Sequence, residues 1–91
     1  GAIQGAFTPP EGMEFVGVNV LGFRSFPASG NEFLLTEVPA GQHDLLFLVR
    51  DNATLAGYPI GVLPSVRVVG NETTNLGMLT AQQLPTRFRE F

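Results

Sequence analysis

Apolar and polar residues alternate along this chain in short runs, and a glycine or proline ends each run before a helical stripe can develop. Eleven Gly and seven Pro are spread along the sequence and leave segments of about 4 to 8 residues, the length of strands. The pattern predicts seven strands, at residues 2–7, 15–21, 32–36, 43–50, 58–62, 65–69 and 74–80. Short strands at that spacing predict an all-β fold, a seven-stranded antiparallel Greek-key β-sandwich. Residues 1–80 are expected to form this single domain, and residues 81–91 to be a C-terminal extension or linker.

Alternate residues of a strand face opposite sides of its sheet, so each run divides into two faces. Val16, Val18 and Val20 are predicted on one face, with Gly17 and Asn19 on the other. Phe33 and Leu35 oppose Glu32, Leu34 and Thr36, while His43, Leu45, Phe47 and Val49 oppose Asp44, Leu46, Leu48 and Arg50. Between these last two strands Pro39 pre-sets φ for a tight turn and Gly41 suits a position where a side chain would crowd, which predicts a hairpin. Leu34, Leu46 and Leu48 are then surplus, because they fall where a solvent-facing strand is normally polar. Side by side on one outer surface, three leucines would contribute on the order of 5 to 9 kcal/mol on burial, before association costs. This makes them a predicted docking face for a neighbouring domain, a partner protein or a second copy. The competing expectation is that residues 84–91, with Phe88 and Phe91, fold back over them.

Composition sharpens that expectation. The chain is 44% hydrophobic and only 14% charged, so part of its neutral surface is expected to be covered. It has no Lys, five Arg against eight acids and a net charge of -3, which removes the phosphate-neutralising surface of a nucleic-acid binder. With no Cys there is neither a disulfide framework nor a thiolate metal site. No apolar run approaches the roughly 20 residues of a membrane-spanning helix. The opening Gly1-Ala2-Ile3 without Met is what a processed or excised piece would show, with Gly1 a tag remnant.

Candidate chemistry is sparse. His43, the sole histidine, lies near Glu37 and Asp44 but lacks the further N or S donors of a zinc site, and its expected place is half-buried at a sheet edge. A serine nucleophile would have to be Ser25, Ser29 or Ser65, none in a nucleophile elbow, with His43 as the only base. Asp51-Asn52 suits turn formation better than calcium ligation. No cofactor motif occurs. The main alternative is a carbohydrate-binding module in which Phe23, Arg24, Phe26 and Tyr58 form a stacking platform; a small hydrolase around His43 is the remote one. Asn52-Ala53-Thr54 and Asn71-Glu72-Thr73 are formal glycosylation sequons, meaningful only in a eukaryotic secretory pathway.

The succession "VGVNV", "GNEFLLTEVPAGQHDLLFLV", "GYPIGV" and "VRVVGNETTNLGML" resembles the carboxypeptidase regulatory-like domains, a group of transthyretin-like β-sandwiches, over residues 3–79. It departs from them at His43, where the family often has an aromatic, in an extra residue between Gly30 and Phe33, and in Ala28-Ser29 replacing the usual Thr-Asp. The resemblance implies a noncatalytic accessory module, without cofactor, of an extracellular, periplasmic or cell-envelope protein.

Overall fold

The computed structural model describes residues 1–88, and its strands form two sheets that enclose one apolar core. In chain order the strands are β1 (Ala2–Thr8), β2 (Met13–Val20), β3 (Arg24–Pro27), β4 (Glu32–Leu35), β5 (Gly41–Asp51), β6 (Gly57–Val68), β7 (Thr73–Thr80) and β8 (Thr86–Arg87); a single 3₁₀ turn, Ala81–Gln83, precedes the last. The small sheet has the order β4-β1-β7 and the large sheet the order β3-β2-β5-β6-β8. The architecture is all-β and sandwich-like, as the pattern predicts.

The core follows from the alternation. Ile3 and Phe7 from the small sheet meet Val18, Leu45, Phe47 and Ile60 from the large one, all fully buried. Phe7, Phe15, Phe33 and Phe47 form its centre: the Phe7 and Phe47 rings are 5.0 Å apart between centroids, and Phe33 meets Phe47 edge-on at 5.7 Å. Such tilted and edge-to-face contacts suit the ring quadrupoles better than face-to-face stacking. Every buried side chain among the described residues is apolar.

The strand count and pairing differ from expectation in several places. The strands predicted at 58–62 and 65–69 are one strand, β6, because the Pro64-Ser65 break is absorbed as a bulge: Ser65 takes φ 57, and its N–H donates to Asp44 Oδ1 at 2.9 Å. β3 was not predicted as a strand. It forms because Gly22, at φ 81, closes a turn in which the Phe23 N–H reaches the Val20 carbonyl at 2.9 Å, folding Arg24–Pro27 back along β2. With β8 the strands among the described residues number eight, not seven. Nor is the sandwich wholly antiparallel, since β1 and β7 pair in parallel.

The predicted hairpin is instead a crossing between sheets. β4 pairs with β1 and β5 with β2 and β6, so the connection through Pro39 arches over the end of the core. Val38 is buried in that arch and donates its N–H to the Gly1 carbonyl at 2.8 Å. Two runs joined by a Pro-Gly turn suit either connection; here the pairing of β4 with β1 and of β5 with β2 and β6 makes it a crossing, with Val38 buried beneath it.

Of the segment 81–91, predicted as an extension, the described residues 81–88 pack onto the sandwich. Ala81 and Leu84 are buried in the core, and Thr86–Arg87 pairs with Gly61 and Val62 of β6. Gly61 permits this close approach: a Cβ there would stand 2.5 Å from the Thr86 carbonyl oxygen and 2.9 Å from Leu84 Cδ1.

Candidate functional site

A bulge decides which residues the large sheet presents to solvent. Phe15 pairs with Val49 and Gly17 with Leu48, so Val16 is an extra residue in β2. The insertion reverses the facing of everything before it. Phe15 turns into the core at 3% exposure, and Val16 turns out at 43%, against the prediction that Val16, Val18 and Val20 share one face. Gly17 was the only local signal, since a glycine inside a strand often marks a bulge.

Val16 thereby joins the predicted Leu46 and Leu48. Leu46 sits opposite Val62 of β6, and Leu48 lies beside the bulge on one side and Pro59 on the other. Directly opposed residues share a face, so Val16, Leu46, Leu48 and Val62 make one apolar row across three hydrogen-bonded strands. Leu46, Leu48 and Val62 are half-buried. Pro27, opposite Gly17, extends the row toward β3. At one end Arg50 Nη2 donates to Glu14 Oε2 at 2.6 Å, an exposed ion pair worth no more than about 1 kcal/mol. Beside it lies an open groove of about 900 Å³ whose lining includes Pro9, Val16, Asn31, Leu48, Leu55 and Tyr58.

Leu34 does not belong to this face. It lies on β4, opposite Gln4 of β1, on the outer surface of the small sheet, where it is 55% exposed. The expected trio fails because β4 and β5 are in different sheets. The described part of the tail does not cover the apolar row either: it runs along the β6 edge, with Phe88 exposed and its N–H on the Ile60 carbonyl at 3.0 Å. Phe91 lies outside the described residues.

The aromatic platform comes together only in part. The Arg24 guanidinium stands 4.6 Å from the Phe26 ring centroid and 5.6 Å from that of Phe23, a cation–π stack that covers Phe26, itself buried. Tyr58 is elsewhere. Its strand neighbour Val49 pairs with Phe15, whereas Arg24 pairs with Val20, a separation of five positions or roughly 17 Å along β2. The Tyr58 hydroxyl points at Met13 Sδ, 3.1 Å away.

His43 is half-buried, and its Nε2 lies 2.6 Å from the Pro39 carbonyl. A carbonyl can only accept, so this nitrogen carries the proton and the ring secures the arch. Ser25 Oγ accepts from Asn19 Nδ2, and the Ser65 backbone is held by Asp44; neither serine hydroxyl engages His43. Asp51 Oδ1 accepts from the N–H groups of Ala53 and Thr54 at 2.8 and 3.0 Å, which is the expected turn chemistry. Among the described residues no three His, Cys, Asp or Glu converge as a metal set, and no helix is long and apolar enough to cross a membrane.

No protein-family model matches the chain, and the searches of curated proteins and of solved structures return no match either.

Proposed function

We propose that the domain is a noncatalytic interaction module that docks a protein surface on the outer face of its large sheet, through Val16, Leu46, Leu48 and Val62. The observation that carries this is the contiguity of the row: four apolar side chains on three adjacent strands, bordered by the Glu14–Arg50 pair at one end and, at the other, by Asp44, whose Oδ1 accepts the Ser65 N–H. Isolated exposed apolar residues are ordinary on monomers, whereas contiguous ones mark contact surfaces. The transthyretin-like assignment, its Greek-key topology and a place in an exported or cell-envelope protein belong to this proposal too. They rest on the sequence resemblance to carboxypeptidase regulatory-like domains, with the two-sheet architecture in their favour.

The natural partner is a neighbouring domain or another protein, and a second copy serves as the probe. In sedimentation velocity over about 10 µM to 1 mM, where weak contacts become populated, the wild-type chain is expected to associate reversibly and Leu46→Glu to remain monomeric. A wild-type chain that stays monomeric throughout, or association that survives Leu46→Glu, refutes the assignment of this face.

A further inference from the structure

The large sheet is incomplete along one edge. β3 accompanies β2 only opposite Gly17–Val20. The Ala28 N–H makes one more bond, to the Val16 carbonyl at 2.8 Å, and the chain then turns away through Gly30 at φ 60. The lane beside Met13, Glu14 and Phe15 holds no strand.

Hydrogen-bond alternation tells which backbone groups face that lane. The Asn52 N–H bonds the Gly12 carbonyl at 3.0 Å, so Gly12 and Asn52 are a hydrogen-bonded pair and, two positions on, so are Glu14 and Arg50. Met13 and Phe15 occupy the alternate pairs and point their N–H and C=O groups away from β5. Met13 satisfies its N–H within its own turn, on the Pro10 carbonyl at 3.1 Å. The Phe15 N–H and C=O and the Met13 C=O have no protein partner among the described residues. The Phe15 side chain is locked into the core at 3% exposure, so these groups are held in a fixed orientation.

The groove described above opens along this lane, with Pro9, Ala28, Gly30 and Asn31 in its lining as well as Val16 and Leu48. Among the described residues its only charged lining residues, Glu14 and Arg50, neutralise each other at 2.6 Å. We propose that this slot accepts an extended, uncharged peptide segment of a partner protein, added as a strand beside β2 opposite Met13 to Phe15. The vacant positions call for alternating N–H and C=O groups at strand spacing, about 3.4 Å per residue, which a peptide main chain supplies. Alternate side chains of that segment rest on Val16 and Leu48. A charged segment finds no counter-ion, because both charges of the groove are already paired. The proposal rests on the assignment of this face as a docking surface, since Val16 and Leu48 belong to both.

The test uses the full chain, labelled with ¹⁵N, and a set of blocked heptapeptides in which Val, Leu, Phe or Tyr alternates with Thr, each at about 1 mM. In the free chain the Phe15 amide is expected to exchange with solvent faster than the paired Glu14 and Val18 amides. At least one peptide of the set is expected to slow Phe15 exchange about tenfold or more, and a Glu-substituted version to have no effect. Asn31→Trp, which fills the slot from an exposed position, removes that protection. Should this variant fold poorly, Val16→Glu takes its place. Phe15 exchange unchanged by every peptide of the set, equal protection by the charged version, or protection that survives both variants overturns the proposal. The docking face itself fails separately: if concentrating the chain shifts Leu46 and Val62 while no peptide protects Phe15, the face stands and the slot does not.

Discussion

The two outer faces of the sandwich differ both in how far their apolar residues are exposed and in how these are arranged. On the small sheet Met78 is 78% exposed and Leu34 is 55% exposed, the former being the most exposed large apolar side chain among the described residues. They stand on opposite flanking strands, with Gln4 and Ala6 of β1 between them and Glu32 and Asn75 beside those. On the large sheet no residue of the row exceeds the 43% of Val16, yet Val16, Leu48, Leu46 and Val62 follow one another across three strands, with Asn19, opposite Leu46 on β2, bordering the row. Exposure of single residues would select the small sheet. Contiguity, which depends on strand order, selects the large sheet.

That comparison breaks most severely if the tail is a removable cover for the large sheet and not part of its edge. Leu84 is 1% exposed, so Leu84→Ala is expected to lower unfolding free energy by about 2–5 kcal/mol in urea denaturation. An unchanged midpoint would mean that the tail is free to lie over the apolar row. A smaller effect is expected from charge placed in the row itself. Val16→Glu should weaken self-association at least tenfold, about 1.4 kcal/mol, in a sedimentation series, while Met78→Glu leaves it within twofold. The same Met78→Glu is expected to alter stability by less than about 0.5 kcal/mol, and a larger loss would show that the small sheet's outer face is covered after all. Smallest of all is Glu14→Gln. Removing this exposed partner of Arg50 should cost less than about 1 kcal/mol, and the difference should fade when salt is raised.

How much of this was legible in the sequence depends on whether local chemistry or long-range pairing decides the feature. The inward residues Phe33, Leu35, Leu45, Phe47 and Val49 were readable because strict alternation leaves one choice of face, and all of them are buried. The Asp51 turn was readable because its carboxylate bonds N–H groups only two and three residues away. Strand partners were not. Leu34 and Leu46 look like neighbours across a hairpin, but their strands pair with partners distant in sequence, β4 with β1 and β5 with β2 and β6, and so lie in different sheets. Val16 was misplaced for a related reason: one inserted residue at the bulge reverses the facing, and periodicity read from either side of Gly17 gives a different answer. The packing of residues 81–88 is hidden in the sequence because Gln82, Gln83, Pro85 and Arg87 dilute its composition, while its buried side chains are Ala81 and Leu84 and the rest of its contact is backbone pairing with β6. Residue type alone groups Tyr58 with Phe23, but Tyr58 lies on β6 near the Phe15 end of β2 and Phe23 in the turn beyond Val20 at its other end.

The most direct measurement is a dilution series followed by methyl and amide NMR from about 50 µM to 1 mM, where weak protein contacts become populated. The expected result is that resonances of Val16, Leu46, Leu48 and Val62 shift together with concentration while those of Leu34 and Met78 stay fixed. Shifts confined to Leu34 and Met78, or equal shifts on both faces, would contradict the assignment of docking to the large sheet.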